Sequence, residues 1–308
     1  SSWFLPQYEA VQFVERVGSN NQIIFTNIPN SLTKKQTEQR LMNIYDKRKK
    51  TGEYYLVDSF VARAAIVSSD GWLVSYMPDY TLSKEKNWEV ISYQDISYDI
   101  EKSVYDSVNS LLYLKVSAES LRVIDFPAWQ NINLGTHVWS LNLGEWQENI
   151  IKNFIISSSN STKIDKADYS FGFVEPVLVG SIIVGDNGQL IGFADEHNNL
   201  FPSWGIEKNL TLLLDNGKIK NNLLSWQGDF VYGDFDEGNA KNDFGFYVKY
   251  SDDRVTTSTV GAGDVILEVD GQAVDKFRLA EQIWLAGDQF LVVVWRDEKR
   301  IVIEVDKQ

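Results

Sequence analysis

Cysteine is absent from the 308 residues of this chain, and histidine occurs only twice. Without cysteine the chain has no disulfide bond, no thiolate ligand for a metal and no thiol nucleophile. Basic residues are scarce relative to acidic ones, with 29 Lys and Arg against 43 Asp and Glu, and the formal net charge is −14. A nucleic-acid-binding protein needs a basic surface, so the composition argues against that class of function.

Long apolar runs are missing as well. No stretch of 18 or more apolar residues occurs, so the sequence predicts no transmembrane helix. The first residues are Ser1 and Ser2 rather than methionine, and we expect a signal peptide or membrane anchor to have been removed ahead of them. Together with the lack of cysteine, this leads us to expect an extracytoplasmic protein, periplasmic or at the cell surface.

Aromatic residues, by contrast, are abundant. The chain has 10 Trp, 14 Tyr and 16 Phe, a load more typical of a β-rich protein than of a helical one. From residue 54 onward short β-type runs alternate with turn signals, as in an all-β barrel or sandwich. The predicted strands are residues 55–60, 62–67, 72–76, 90–93, 111–116, 138–143 and 150–157. The length is sufficient for two domains with separate cores.

The stretch FGFVEPVLVGSIIVGDNGQLIGF, which begins at Phe171, predicts a β-hairpin. Its strands are expected at residues 178–184 and 189–193. Asn187 and Gly188 lie between them, and this dipeptide commonly supplies the left-handed backbone angles of a tight turn.

The C-terminal third follows a different pattern. A linker helix is predicted to end near Gly217, because glycine often terminates helices. The sequence GAGDVILEVDGQAV at residues 261–274 then indicates a strand and a turn. A helix over residues 276–285 and strands over residues 290–295 and 300–305 are predicted to complete this unit.

The first 52 residues predict helices. Apolar residues recur at helical spacing in residues 3–17, and the second half of residues 20–52 has a similar stripe. This second segment carries the one basic patch of an acidic chain: Lys34, Lys35, Arg40, Lys47, Arg48, Lys49 and Lys50. A solvated helix face or a loop accounts for such a patch. The alternative is a peripheral contact of the basic helix at residues 34–50 with an anionic membrane or an acidic neighbour.

Four stretches together resemble the HtrA/Deg family of trypsin-like serine proteases. The hairpin places Pro176, Gly180, Gly188 and Gly192 on the proline and glycine positions around the family's nucleophile. AIVSSDGWLVS and YDSVNSLLYLKV resemble the segments beside the catalytic histidine and aspartate, and GDVILEVDGQAV resembles the family's PDZ domain. The resemblance implies a mostly β fold: a chymotrypsin-like double β-barrel followed by an α+β PDZ domain.

Matched residue by residue, the three catalytic positions of the family hold other residues here. Pro78 stands at the histidine position, Ser110 at the aspartate position and Val179 at the serine position. Acyl transfer by a triad needs a nucleophile, a base and a group that orients the base, and these residues cannot take those roles. Val177 and Leu178 also replace the Gly-Asn of the oxyanion loop. The resemblance therefore implies an inactive homologue, a pseudoprotease.

The two histidines are the candidates for an active site at a different place from that of the family. His137 begins a predicted core strand, which favours a structural role. His197 lies in the polar loop ADEHN, where a neighbouring carboxylate could complete a hydrolytic set or a metal site, although a solvated turn accounts for the same composition. A hydrolase with a relocated active site thus stays an alternative. No motif indicates a cofactor or a metal.

The resemblance also implies two binding surfaces. A PDZ domain binds an extended peptide as an added strand. The matching carboxylate-binding loop is Leu223, Leu224, Ser225 and Trp226, with Gln282 of the following helix as a further peptide-binding candidate. Phe244-Gly245-Phe246 looks similar, but its distance from Gly263 places it on a later strand. In the family, N-terminal aromatic residues hold a trimer together. Trp3, Phe4 and Tyr8 either do so here or pack on their own barrel.

The predicted organisation is an N-terminal extension with helices at 1–52, a double β-barrel at 53–200, a linker helix at 201–222 and a PDZ-like domain at 223–308. The predicted function is non-catalytic: the protein binds peptides or unfolded segments and acts as a scaffold, a chaperone or a regulator of a partner. Besides the relocated hydrolase, the second alternative is a structural subunit in which both grooves are closed by the protein's own side chains.

Overall fold

The structure is a computed structural model. It describes residues 14–15, 24–25, 31–81, 83–127, 132–142, 145–155, 162–163, 169–219, 224, 226–235, 242–251, 260–275 and 278–306. In chain order the strands are β1 (Val14–Glu15), β2 (Ile24–Phe25), β3 (Leu41–Asp46), β4 (Lys50–Thr51), β5 (Tyr54–Tyr55), β6 (Phe60–Ile66), β7 (Trp72–Tyr76), β8 (Trp88–Ser92), β9 (Ser97–Tyr98), β10 (Ile100–Asp106), β11 (Leu111–Val116), β12 (His137–Asn142), β13 (Glu145–Ile155), β14 (Thr162–Lys163), β15 (Tyr169–Phe173), β16 (Ile182–Val184), β17 (Leu190–Ala194), β18 (Leu200–Pro202), β19 (Gln227–Asp234), β20 (Asn242–Tyr250), β21 (Val265–Val269), β22 (Gln272–Ala273), β23 (Gln289–Arg296) and β24 (Lys299–Asp306). The α-helices are α1 (Ser31–Glu38), α2 (Trp204–Asn216) and α3 (Leu279–Leu285), and no helix in the described residues is both long enough and apolar enough to span a bilayer.

The first barrel is a seven-stranded antiparallel sheet with the order β10-β11-β7-β6-β3-β8-β9. Its interior is filled by aliphatic residues from both halves of the sheet, among them Met42, Ile44, Leu73 and Leu112. The opposite face of β7 and β11 packs against the second barrel. Each of these central strands is therefore buried on both faces, and the burial stabilises the sheet in the manner expected for apolar surface.

The strand β3 corrects two predictions. Leu41, Ile44 and Tyr45 belong to a strand that pairs with both β6 and β8, rather than to a helix. The barrel consequently begins at Leu41, and the predicted boundary at residue 52 is wrong. The alternation typical of a strand is hidden in the sequence, because the polar Asp46 shares the buried face with Ile44 while the apolar Tyr45 lies on the other face.

The predicted N-terminal helices are also shorter than expected. Helix α1 ends at Glu38, and Val14–Glu15 is paired with β2 as a strand, contrary to the helical spacing. Trp3, Phe4 and Tyr8, the predicted trimer contacts, lie outside the described residues. The predicted strand at 55–60 is wrong, since a 3-10 turn at Val57–Ser59 follows β5.

Most of the basic patch is paired with carboxylates. The ion pairs are Arg40 with Asp125 at 2.8 Å, Lys47 with Asp99 at 2.5 Å, Arg48 with Asp46 at 2.6 Å, Lys49 with Asp58 at 3.1 Å and Lys50 with Glu89 at 3.3 Å. The ammonium of Lys34 lies over the rings of Trp139 and Trp146. Only α1 within residues 34–50 is α-helical, so a continuous basic helix does not form, and a membrane contact of this segment stays a prediction.

The second barrel has six antiparallel strands in the order β15-β13-β12-β16-β17-β18. A backbone bridge between Gly172 and Asn199 brings its two ends together. The predicted hairpin is present as β16 and β17, but its first strand is shorter than predicted because residues 178–181 form a turn. Gly188 has a positive φ of 77°, whereas Asn187 does not, and the register shifts at Ile183/Val184. The turn therefore differs from the predicted Asn-Gly turn.

Helix α2 follows the second barrel and ends at Gly217, as predicted from the glycine. Ile206 and Leu213 of α2 belong to the core shared by the two barrels. On the other side, Trp204 contacts Trp284 of α3 edge to face, with ring centroids 5.5 Å apart. The helix thus packs between the barrels and the C-terminal unit.

The C-terminal unit is a third antiparallel sheet, with the order β14-β19-β20-β21-β23-β24 and β22 beside β21. Its own core contains Trp226, Phe246 and Val292, with α3 packed against the sheet through Ile283. The segment Phe244-Gly245-Phe246 lies in β20, which confirms that it sits on a later strand than the predicted carboxylate-binding loop.

Candidate functional site

The two barrels enclose a cavity of about 740 Å³, which we call the interbarrel cleft. One wall comes from residues 60–63 of β6 and from residues 76–80, which include the end of β7. The opposite wall comes from Asn142 and from the turn at residues 178–180. Aromatic side chains of the first barrel line much of its surface. A cavity of this volume lies within the range of small-molecule and peptide sites, about 300–1,000 Å³.

The turn at residues 178–180 presents apolar side chains to this cleft. Leu178 is 65% exposed and Val179 is 49% exposed. The turn is held by a hydrogen bond from the Gly180 N–H to the Ala194 carbonyl at 2.8 Å and by one from the Ser181 N–H to the Leu178 carbonyl at 3.1 Å. Gly180 has a φ of 77°, a conformation that glycine adopts without strain.

The amide just before this turn is already engaged. The Val177 N–H donates to Oδ1 of Asn198 at 2.8 Å. Asn198 is positioned by a tight loop in which the Asp195 carboxylate accepts the N–H groups of His197 and Asn199, at 2.8 and 2.7 Å. The Val177 amide is therefore bound to the protein itself and does not point as a free donor into the cleft.

Of the sequence-predicted positions Pro78, Ser110 and Val179, the first and the last line this cleft. Pro78 and Val179 line it from opposite barrels. Ser110 is not a lining residue, but its carbonyl accepts the N–H of Met77, next to Pro78, at 2.7 Å. Ser110 has a φ of 56°, which places it in a left-handed turn. None of the three side chains carries a base, so these positions offer no proton transfer.

Tyr76 is a titratable residue that lines the cleft beside these positions. Burial raises the pKa of Tyr76 to about 12, and the negative charges of Asp195 and Glu196 act in the same direction. The phenol is therefore protonated at neutral pH and serves as a hydrogen-bonding group rather than as a base.

One cleft residue was not predicted from the sequence. Arg63 of β6 is only 9% exposed, and its Nε donates to Oδ1 of Asn43 at 3.0 Å. Its Nη1 has no hydrogen-bond partner in the described part of the chain. The only sequence signal for Arg63 is a single basic residue inside the apolar run FVARAAIV.

His137 lies outside the cleft and is held by two carboxylates. Its Nδ1 is 2.8 Å from Oδ1 of Asp186 and its Nε2 is 2.5 Å from Oε1 of Glu148. Burial alone would lower the pKa of His137, but the hydrogen bonds and charges of Glu148 and Asp186 outweigh burial and raise the pKa. With both ring nitrogens engaged, the imidazolium is a clamp between β12, β13 and the hairpin turn, in line with the structural role predicted for His137.

We expect this clamp to make stability depend on pH. A raised histidine pKa contributes stability below about pH 6.5, the ordinary value, and loses it as the pH rises through the higher folded-state value. The melting temperature of the wild-type protein should fall from pH 6 to pH 8.5, and His137→Gln should remove this fall. A contribution of about 1 kcal/mol corresponds to roughly 2–4 °C. His197→Gln is the matched control, and an equal effect of both changes would contradict the clamp.

His197 lies on the surface and does not line the interbarrel cleft. Its side chain is 74% exposed, and its Nε2 is 3.6 Å from the adjacent Glu196 carboxylate. Within the described residues no group of three or more His, Asp and Glu side chains has the spacing of a metal site. His197 thus lies in the solvated turn that its composition indicated.

The predicted peptide-binding residues of the C-terminal unit are distributed unevenly. Leu224 and Trp226 are buried in the core of this unit, at 3% and 0% exposure, whereas Leu223 and Ser225 lie outside the described residues. Gln282 of α3 donates from Nε2 to the Ala273 carbonyl at 2.9 Å. The three described residues of this set, Leu224, Trp226 and Gln282, are therefore not a group of exposed contacts.

The edge strand next to these residues is partly covered. In β14, Thr162 and Lys163 pair with Gly228 and Gln227 of β19. These two β14 residues come from the segment between β13 and β15 of the second barrel, so the pairing joins the second barrel to the C-terminal unit.

Comparison with solved structures identifies the architecture. The HtrA-type protease AlgW with a decapeptide matches 89% of this chain and 96% of its own, with a TM-score of 0.51 and 14% sequence identity. AlgW with a tripeptide matches 90% and 96%, with a TM-score of 0.51 and 16% identity. The fold is of the HtrA type. This confirms the predicted double β-barrel, while identities this low extend the likeness to the fold alone.

The HtrA-type fold is not accompanied by a sequence match. No protein-family model matches the chain, and no curated protein matches it. These two comparisons therefore indicate no function for this chain.

Proposed function

We propose that this chain is a non-catalytic HtrA-like pseudoprotease whose interbarrel cleft binds peptides or unfolded protein segments. In this role it acts as a scaffold, a chaperone or a regulator of a partner. The observation that carries the proposal is the turn at residues 178–181 with the residue before it. Val179 stands at the position that the resemblance assigns to the nucleophile, and the amide of Val177 is bound to Asn198.

The chemistry of that turn supports the loss of catalysis. Valine has no lone pair for attack on a carbonyl and no proton to give to a base. An oxyanion hole needs N–H donors directed at the developing negative charge. The Val177 N–H stands at the residue that would supply one such donor, and it already donates to Asn198 at 2.8 Å.

The opposite wall supports the same proposal. Pro78 at the histidine position offers no imidazole, and Ser110 at the aspartate position carries no charge that could orient one. Without a base and a nucleophile, the cleft can still bind and position an extended chain. Positioning and chemistry are separable contributions, so a cleft can retain an extended chain without cutting it.

The shape and surface of the cleft support binding. Its volume of about 740 Å³ and its aromatic residues Phe60, Tyr76, Tyr80 and Trp88 suit the side chains of an extended peptide. The AlgW structures with similar folds contain a decapeptide and a tripeptide, which is a property of those proteins.

The experiment is to measure hydrolysis and binding of unfolded casein side by side, the second by fluorescence anisotropy. We expect binding without cleavage, and Val179→Ser should not restore cleavage because the base and the free amide are still missing. Val179→Trp should weaken binding by roughly tenfold, since a bulky side chain fills the cleft.

The matched control for the last change is Val302→Trp, at an exposed valine of β24 that lies outside the cleft. Cleavage by the wild-type protein that survives repeated purification would contradict the proposal. Binding that is unaffected by Val179→Trp would place the peptide elsewhere.

A structural subunit is the second candidate function. It is favoured by the pairing of β14 with the edge of β19 and by the burial of Leu224 and Trp226, which together close part of the predicted peptide groove. Absence of binding as well as cleavage would favour it. An extracytoplasmic location and assembly into an oligomer are parts of the proposal that fractionation and light scattering test.

A further inference from the structure

Arg63 is a buried cation that forms no ion pair with a carboxylate of the described residues. It is 9% exposed, and the hydrogen bond to the neutral amide of Asn43 uses only its Nε. Burial lowers the pKa of Arg63, but a guanidinium remains charged at neutral pH. A charge buried without a counter-charge destabilises a protein, so such a group usually pairs with an anion.

The nearby acids are committed to other donors. Asp46 is bound by Arg48, whose Nη2 lies 2.6 Å from Oδ2. Glu38 acts on Arg63 through its charge, but its Oε1 accepts the Trp146 indole N–H at 3.1 Å. Within the described residues Arg63 has no ion pair, and its Nη1 is left without a hydrogen-bond partner.

Two cavities adjoin Arg63, and they differ in charge. Arg63 lines both the interbarrel cleft and a smaller cavity of about 210 Å³. The smaller cavity is also lined by Glu38, whose charge disfavours a second anion there. In the cleft, Asp46 is neutralised by Arg48, while Asp79 and Lys84 contribute opposite charges, so Arg63 leaves an excess of positive charge.

We propose that the interbarrel cleft selects carboxylate-bearing peptides, with Arg63 as the group that pairs with the carboxylate. This inference rests on the proposed function, because it names the substrate class of the same cleft. The guanidinium offers donors in a planar fork that matches a carboxylate. The aromatic residues around the cleft bind the apolar neighbours of the acidic group. A protein with a net charge of −14 repels an anionic ligand overall. Binding of a carboxylate therefore requires a local positive charge, and Arg63 supplies it in the cleft.

The test uses three peptides that differ only in one carboxylate. The reference is a Phe-Ala-Leu-Gln-Leu-Ala-Phe amide with a zwitterionic rhodamine dye at its N-terminus. The second has Glu in place of Gln, and the third has Gln with a free C-terminal carboxylate. We expect one of the two carboxylate peptides to bind about tenfold more tightly than the reference, and which one it is distinguishes a side-chain carboxylate from a chain terminus.

Arg63→Met should abolish this preference, because methionine has no charge and no N–H donor to pair with the carboxylate. The variant is expected to fold, since it removes a buried unpaired charge and keeps the side-chain length. Arg63→Lys, which keeps the charge but not the fork, should retain part of the preference. Arg40→Met is the charge-matched control, because Arg40 is bound to Asp125 and lines neither cavity.

The outcomes separate the two proposals. A tenfold preference that is lost in Arg63→Met and kept in Arg40→Met supports the role of Arg63. Equal binding of all three peptides overturns the selectivity while leaving the proposed function intact. A preference that survives in Arg63→Met overturns the assignment to Arg63. Binding of none of the peptides overturns the proposed function and the selectivity together.

Discussion

Replacing Arg296 by methionine is expected to lower the free energy of unfolding of the C-terminal unit by about 1–3 kcal/mol. Arg296 binds Asp264 through Nε and Nη2, both at 2.6 Å, and Asp264 is 2% exposed. Oδ2 of Asp264 also accepts the Gly261 N–H at 2.8 Å. The substitution leaves the buried Asp264 carboxylate with the Gly261 N–H as a donor and without the charge of Arg296. A buried charge that has lost its partner destabilises the folded state.

The measurement is urea denaturation together with hydrogen exchange of the amides in β21 and β23, since a protein with several cores need not unfold in one step. The control is Arg300→Met on the neighbouring strand. Arg300 pairs with Glu268 at 3.3 Å on the surface, and a pair of this kind contributes about 0–1 kcal/mol. Similar losses from the two substitutions would contradict the distinction between the buried pair and the exposed one.

Gly71→Ala is expected to destabilise the first barrel by about 3 kcal/mol or more. Gly71 has a φ of 105°, and a Cβ at this position would overlap the carbonyl oxygen of Val116. The Gly71 carbonyl also accepts the Val116 N–H at 3.0 Å, so the two backbones cannot separate without losing that bond. The substitution therefore adds a steric clash to an unfavourable backbone angle.

Gly52→Ala separates those two costs. Gly52 has a φ of 63°, and a Cβ there would meet no atom within 4 Å. It should cost only the backbone term, about 1–2 kcal/mol. Thermal melts of both variants and the wild-type protein make the comparison, and the expected order of melting temperature is wild type, then Gly52→Ala, then Gly71→Ala. A Gly71→Ala protein as stable as Gly52→Ala would show that the Val116 backbone moves aside freely.

Much of the barrel architecture is accessible from the sequence because local signals and the fold agree there. Residues 72–76 and 111–116 were predicted as strands with the bounds that the structure has, since turns and β-branched or aromatic residues coincide. The turn that carries Val179 was missed, since residues 178–181 were predicted as the start of a strand, whereas Gly180 has a φ of 77° and the strand begins at Ile182. Strand β3 was missed because apolar residues occur on both of its faces and the polar Asp46 is on the buried one, so the sequence lacks the period of two that identifies a strand.

The chemistry of the site is less accessible, because it depends on contacts between distant residues. The bond from the Val177 N–H to Asn198 spans 21 positions, and no local pattern indicates it. Arg63 is a lone basic residue in an apolar strand, and its burial follows only from the packing of two barrels. The ion pair of Asp264 with Arg296 likewise joins residues 32 positions apart. In these cases the sequence indicates candidate residues, and the contacts in the folded protein determine the role of each residue.

The pairing of β14 with β19 has a consequence for any peptide that approaches the C-terminal unit. A strand added beside Gln227 and Gly228 would have to take the backbone hydrogen bonds that Thr162 and Lys163 now hold. The β14 residues belong to the same molecule, so they compete at a high effective concentration, whereas a free peptide competes at its concentration in solution. The apparent affinity of that edge for a peptide is then its intrinsic affinity multiplied by the fraction of molecules in which the edge is vacant. This apparent affinity rises with any change that moves β14 away from β19.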